Sequence, residues 1–404
     1  MKVLLFCDIP PATNLTGGIM LAQLVGLLPP GSVACFCVLN RVVNPIVPDS
    51  LSWMKIAYRN KPREHWSVFP GRSGAALSLV MESLVKATRI PALARQAVRF
   101  GRDFGADAVW CVLQGQTMIR LALPVADGLG VPLLTHAWDP PSWWMRANRV
   151  DRRSAQTVLG QFGQTLRRSR RFAAASWAMA QSYHDAYGVE AIPVMPSIDP
   201  ALALPPADAP TEGGDFRIGM AGQTYATREW DALLAALDSV DWRIAGRQVK
   251  IRLLGSYGQI RSTGKSFIEY LGWRPQAEAI RLLAEADVLY CPYWFDKAFE
   301  EEARLSFPGK LSTYFAAGRP VLVHGPEYAS PARFVSEHDA GLCCHSLESK
   351  DIIRVLASLL ADAPRYARVA RNGHTALLKH FTTSTMHARF FEFLGQSVAA
   401  PVLP

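Results

Sequence analysis

No run of about 20 apolar residues exists anywhere in this 404-residue chain, so no membrane-spanning helix is expected. The N-terminal apolar run, VLLFC at 3–7, ends at Asp8 and is too short for the core of a secretion signal. Cysteine is sparse. The seven, Cys7, Cys35, Cys37, Cys111, Cys291, Cys343 and Cys344, form no Cys-x-x-Cys pair and have no histidine at ligand spacing. Zinc and disulfide frameworks are therefore not expected, and the thiols read as small buried hydrophobes of a reducing compartment. There is no Gly-x-Ser-x-Gly elbow, no Asp-x-Asp triplet and no Walker loop; Gly264-Lys265-Ser266 lacks the upstream glycine. Acidic residues are scarce in two places. Residues 145–172 hold eight arginines (146, 149, 152, 153, 167, 168, 170, 171) against Asp151, and residues 53–102 hold ten Lys/Arg against two Glu.

What is present is a globular composition, half apolar and 19% charged, long enough for two or three domains. The net charge of +9 asks for an anionic partner: nucleotide phosphates, an anionic membrane or nucleic acid. No nucleic-acid recognition motif accompanies it, and none is expected to bind. The arginine-rich stretch reads either as a solvated helix face or as a contact for anionic lipid or acceptor, with Trp143, Trp144 and Trp177 flanking it.

Continuous apolar runs alternate with helical patterns along the chain. Strands are expected at 3–7, 32–39, 106–113 and 132–138, with helices at 19–28, 76–104 (broken near Pro91) and 155–172, and the apolar segments 175–182 and 191–199 close this half. The Pro/Ala/Gly-rich stretch 201–215 is the expected linker between an N-terminal domain, 1–200, and a C-terminal domain, 216–382. The tail, 383–404, carries a last helical stretch that is a candidate to return to the first domain. Strands at 216–222, 249–255, 266–273, 287–294 and 320–325, with helices at 228–240, 277–286, 310–318, 330–337, 348–361 and 364–378, repeat the α/β grammar. The expected fold is two doubly wound Rossmann-like domains facing each other across a cleft, with ligands at the C-terminal ends of the strands.

The strongest local signal is SFPGKLSTYFAAGRPVLVHG, 306–325. It reads as a loop shaped by Pro308 and Gly309, a helix start, a helix ended by Gly318 and a buried strand. Lys310 stands at the helix start, where the dipole disfavours a cation unless an anion lies beside it. The plainer reading is an ordinary loop-helix-strand unit with a surface lysine.

The pattern P-x-K-L-x-x-Y-x-A-A-G-x-P-V within this segment resembles the donor-binding region of the retaining family 4 glycosyltransferases, which have the GT-B fold. Other motifs follow in the family's order: the Gly17-Gly18 loop, Thr135-His136, GMAGQTYATR (219–228), LLGSYG (253–258), YLGWRPQAE (270–278) and ADVLYCPY (286–293). The resemblance implies a nucleotide-sugar donor held by the C-terminal half. Gly222, Gln223 and Gly255, then Arg304, Ser306, Phe307 and Gly309, then Leu311 and Thr313 are the donor-side candidates. Gly17, Gly18 and Asp139 are candidates on the acceptor side, with Asp139 equally readable as a turn residue before two prolines. Catalytic roles fall to His136, Arg228 and Lys310, although a lone His after an apolar strand also reads as a core residue.

The sequence departs from the family at two carboxylates. Leu305 and Thr313 occupy the positions of its glutamate pair, and Gln223 replaces the first member of a basic pair whose second member is Arg228. Glu300, Glu301 and Glu302 lie a few residues upstream. The expectation is a cytoplasmic, metal-independent, retaining glycosyltransferase without a cofactor, peripheral on the inner membrane face. It would pass a sugar to a glycan, lipid-linked or small-molecule hydroxyl. A GT-B epimerase and a non-catalytic binding homologue are the alternatives.

Overall fold

A computed structural model of the protein describes residues 1–64, 71–148, 150–211, 213–223, 225–255 and 262–396, with side chains 71–73, 75, 78, 79 and 82 also left out. Arg149 of the basic stretch, 256–258 of the second glycine loop and 397–404 of the tail lie outside these residues. The chain divides into two compact units, Met1–Val194 with His387–Pro404, and Met195–Met386.

The first unit is a parallel sheet of β1 (Val3–Cys7), β2 (Val33–Leu39), β3 (Lys55–Asn60), β4 (Ala108–Val112), β5 (Leu133–Ala137), β6 (Arg171–Ala174) and β7 (Ala191–Pro193). Their order is β3-β2-β1-β4-β5-β6-β7. Val3 pairs with both Val33 and Ala108, which places the reversal of strand order between β1 and β4. These strands are apolar throughout because helices cover both faces and leave no wet side. Trp110 of β4 is fully buried, and the last helix, Thr383–Leu394, brings Phe390 and Phe393 to within 5.0 and 6.3 Å of its ring.

The second unit contains β8 (Phe216–Ala221), β9 (Arg243–Ile244), β10 (Arg247–Leu254), β11 (Ile268–Gly272), β12 (Val288–Pro292), β13 (Val321–His324) and β14 (Gly341–Cys344). The parallel order is β11-β10-β8-β12-β13-β14, with β9 added against β10, so the reversal lies between β8 and β12. Both units are thus doubly wound Rossmann-like sheets.

Several boundaries differ from those expected. The helix expected at 155–172 spans Arg152–Arg168, and Arg171–Ala174 is a strand. Four residues are too short for a readable period; pairing of Leu134–Ala137 with Arg171–Ala174 decides it. The break expected near Pro91 is present as a change of helix type. A π-helical turn, Val85–Arg89, joins Gly71–Leu84 to Ile90–Phe104 just before the proline, where the missing N–H is absorbed. Strand β3 and the helix Gly115–Leu129 are additional, and the segment 175–182 falls in a helix, Trp177–Tyr187, capped by Ser176. The stretch 201–215 is stitched to the second unit: Leu204 N–H donates to Ala316 O at 2.8 Å and Ala207 N–H to Gly318 O at 2.9 Å.

Candidate functional site

In the second unit the candidate site lies at the strand-order reversal. The chain leaves β8 at Gly222, φ +90°, and leaves β10 at Gly255, φ +120°. Gly222 N–H donates to Leu254 O at 2.8 Å, and a Cβ on Gly255 would stand 2.5 Å from Gly222 O. Two turns packed backbone to backbone leave no room for a side chain. The Tyr314 hydroxyl braces the strand that leads into the first of them. It accepts from Ala221 N–H at 2.9 Å and donates to Tyr290 O at 3.1 Å, joining the end of β8 to the middle of β12.

Four residues before Tyr314 is Lys310, first residue of the helix Lys310–Ala316. Its stem is partly exposed, but its Nζ is buried and has no hydrogen-bond partner. Nζ stands 4.5 Å from the centre of the Tyr225 ring, and a Cβ on Gly222 would lie 3.7 Å from Lys310 Cε. Burial pulls its pKa down to about 8, with Cys291 acting weakly in the opposite sense. The Cys291 thiol is pushed up to about 12, chiefly by burial. Ser306 Oγ and Tyr225 OH are also buried without partners. An unpaired buried ammonium is costly, and an anion placed beside it removes most of that cost. The helix adds little: it is seven residues long, and Leu311 N–H is already taken by Pro308 O at 3.1 Å. The anion preference therefore rests on the lysine rather than on free helix amides.

The other donor-side residues divide. Gln223 and Arg228 are exposed beside the Gly222 turn, Arg228 in the first turn of the helix Thr227–Asp238. Gly309 is exposed and packs near Pro196. Thr313 is half-buried, and Leu311 is a core residue. The Phe307 ring is taken up by an aromatic cluster with Phe334 and Phe381, 5.3 and 5.5 Å away. Arg304 forms a two-bonded pair with Glu300 at 2.9 and 2.8 Å and lies 4.1 Å over Tyr328, so both of those charges are engaged with each other. Glu302 is buried. Sequence reasoning missed Tyr225, Tyr314 and Tyr293, whose hydroxyl donates to Ser306 O at 2.8 Å. Tyr314 is the tyrosine of the pattern P-x-K-L-x-x-Y, given no role there, and Tyr225 sits unremarked within GMAGQTYATR.

The first unit gathers polar residues at its own reversal point. Gly17 faces Trp138 so closely that a Cβ would meet the ring at 2.6 Å, and a Cβ on Gly18 would meet Ala12 Cβ at 2.7 Å. Trp138 Nε1–H donates to His136 Nε2 at 3.1 Å. That bond assigns the histidine proton to Nδ1, which is buried and unpartnered. His136 is 0% exposed, and burial lowers its pKa to about 3, so it is neutral. The structure therefore joins Gly17 to His136 through Trp138 and seals the imidazole from solvent. Asp139 accepts from Gln114 at 3.2 Å, and burial raises its pKa against that bond.

Beside them lies an ion cluster that sequence reading did not find. Lys61, just after β3, pairs with Asp8, just after β1, at 3.0 Å and with Glu64 at 2.8 Å, all three side chains nearly buried. Burial opposes the lysine charge, but the two carboxylates outweigh it and hold its pKa above the ordinary value. Burial raises Asp8, partly offset by Lys61. Glu64 accepts from Thr117 N–H at 2.6 Å, and Gln116, 1% exposed, donates to Glu64 O while its own Oε1 has no partner. Lys61 and Glu64 are three residues apart, but Asp8 lies far off in sequence, so no local spacing announces the three together.

Among the described residues there is no group of three or more His, Cys, Asp and Glu able to hold a metal ion, and no helix long and apolar enough to cross a membrane.

A family model described as glucosyltransferase 3-like, C-terminal domain, matches residues 240–375. No curated protein matches the chain. Among solved structures, Anabaena HepE in complex with UDP is similar with a TM-score of 0.66 and 13% identity, covering 98% of this chain and 100% of that one. Sucrose-phosphate synthase from Thermosynechococcus elongatus gives 0.68 and 12%, covering 98% of each chain. The UDP-forming α,α-trehalose-phosphate synthase from Burkholderia vietnamiensis gives 0.64 and 12%, covering 100% of this chain and 98% of that one. With two doubly wound units matched over almost its whole length, the chain has the GT-B fold.

Proposed function

We propose that the protein is a glycosyltransferase that takes a sugar from a nucleotide-sugar donor, with the donor diphosphate seated at Lys310. The observation that carries this reading is the buried, unpartnered Nζ of Lys310 beside the Gly222 turn. A pyrophosphate there supplies the missing anion, and the lysine charge stabilises the leaving phosphate as the glycosidic bond breaks. Arg228, exposed next to the same turn, is the second cation. The similar HepE structure contains UDP, which makes uridine diphosphate sugars the first donors to test.

Acceptor hydroxyls are assigned to the first unit, where Asp8, Glu64 and Asp139 crowd the strand ends. Transfer with retention and without a metal follows from the motif resemblance, the diphosphate oxygen then receiving the acceptor proton. Glycans, lipid-linked intermediates and small molecules are all candidate acceptors. Leu305 and Thr313 in place of a carboxylate pair favour a second reading, a binding protein that keeps the donor site without turnover.

A thermal-shift and calorimetric screen against UDP, GDP, dTDP and CMP sugars tests both, since a ligand of the folded state raises its melting temperature. Binding with sugar release or transfer supports the enzyme; binding with no turnover supports the second reading; no binding by any nucleotide overturns both.

A further inference from the structure

The helix Gly71–Leu84 leaves an apolar stripe in water. Leu77, Val80 and Leu84 are 43%, 63% and 54% exposed, and their spacing puts them on one face. The π turn that follows ends at Arg89, which is exposed. Burial opposes the charge of Asp151, but the amides of Ser154 and Arg153, helped by the charge of Lys86 in that turn, outweigh it and hold the carboxylate ionised. Asp151 in turn caps the helix Arg152–Arg168, accepting from Arg153 N–H and Ser154 N–H at 3.1 and 3.0 Å. Arg152 and Arg153 are exposed there. The positive charge of Lys86 is thus felt at the start of the helix Arg152–Arg168, which places the exposed Arg152 and Arg153 on the side of the exposed apolar residues.

The helix Arg152–Arg168 alone does not make such a surface. Its apolar residues Val158, Phe162 and Leu166 face the core, and Trp143, Trp144 and Trp177 are at least half-buried. The tryptophans expected to seat in an interface are thus not on offer.

We propose that the stripe Leu77–Val80–Leu84, with Arg89, Arg152 and Arg153 at its end, docks the protein on an anionic lipid bilayer. Apolar side chains enter the acyl boundary while the guanidinium groups remain at the level of the lipid phosphates. A second copy of the chain would bring a like-charged surface against this one, and a nucleic acid would leave the apolar stripe without a role. The proposal does not depend on the donor assignment.

Vesicle sedimentation of the full chain tests it, using phosphatidylcholine alone and an equal mixture of phosphatidylcholine and phosphatidylglycerol. The wild type is expected to sediment with the mixture and not with phosphatidylcholine. Raised salt should weaken this, since screening shortens the reach of the charges. The triple variant R89E/R152E/R153E should lose roughly tenfold or more of the binding. L77Q/V80Q/L84Q should also lose binding while keeping the wild-type circular dichroism and melting temperature, the positions being exposed. No sedimentation with the mixture, equal sedimentation with both vesicles, or unchanged binding of both variants overturns the proposal. So does a wild-type dimer that the Gln variant turns into a monomer, which would make the face an interface between copies. Nucleotide binding is read on the same variants and should be unchanged, which separates this test from the donor assignment.

Discussion

The ammonium group of Lys310 stands 4.5 Å from the centre of the Tyr225 ring. The aromatic face is a partial counter-charge, worth about 0.5–2 kcal/mol to a cation, and far from a full replacement for water. Lys310 is therefore held ready for an anion by a group that does not neutralise it.

Replacing Lys310 by Met is expected to move affinity and stability in opposite directions. Nucleotide affinity should fall about ten- to hundredfold, the worth of a charge-assisted bond to phosphate. Thermal stability should rise, on the order of 1–3 kcal/mol, because the cost of a buried unpaired ammonium disappears. Calorimetry with the nucleotide and a thermal melt read both. A lower melting temperature with unchanged affinity would show a merely structural lysine.

The pH dependence of nucleotide binding should report the same group. In the free protein Lys310 has a pKa near 8. A diphosphate beside it raises that value, so binding takes up a proton above pH 8 and none below. Affinity should be flat below pH 8 and then fall by up to about tenfold per pH unit. The effect should be missing in the Met variant. The sign for folding is opposite: the unfolded lysine holds its proton to higher pH, so this residue's penalty fades as pH rises from 8 towards 10.5.

His136 is buried as the neutral form with a pKa near 3, against 6.5 for the free side chain. The unfolded state thus binds more protons between those values, and stability should fall as pH drops from 6.5 to 3. The contribution is on the order of 4 kcal/mol at full effect. His324 and His380, both lowered to about 4 chiefly by burial, act in the same direction. A His136→Phe variant should show a smaller acid loss in denaturant titrations at pH 7 and pH 4.5. An equal loss would mean the imidazole is protonated in the fold.

The Lys61 cluster should separate stability from acceptor use. Lys61→Met leaves two buried carboxylates without their cation and should cost about 3–5 kcal/mol. Asp8→Asn preserves the shape and one hydrogen bond, so it should melt near the wild type and bind nucleotide equally. Sugar transfer should nevertheless drop about tenfold or more if Asp8 receives acceptor hydroxyls. Normal transfer by Asp8→Asn would restrict the cluster to holding the strand ends together.

What the sequence determined by itself was the architecture and the turns that frame one candidate site. Apolar runs such as VLLFC and DVLYCPYW report buried parallel strands because neither face of those strands meets water, and that rule is local. The helix at 330–337 and the positions of Gly222, Gly255 and Lys310 were legible for similar reasons, each set by its own few neighbours. Tertiary structure decided the rest. β6 exists because Leu134–Ala137 offers it an edge, a fact absent from the four residues themselves. Arg304 was withdrawn by Glu300 on the next helical turn, and Phe307 by Phe334 and Phe381. His136 was placed at a strand end correctly, but whether it meets solvent depends on where Trp138 lies. Asp8, Lys61 and Glu64 became a cluster only through the pairing of β1, β2 and β3. Burial, and hence the charge state of every group in these sites, is a property of the packed chain, since water is excluded by residues distant in sequence.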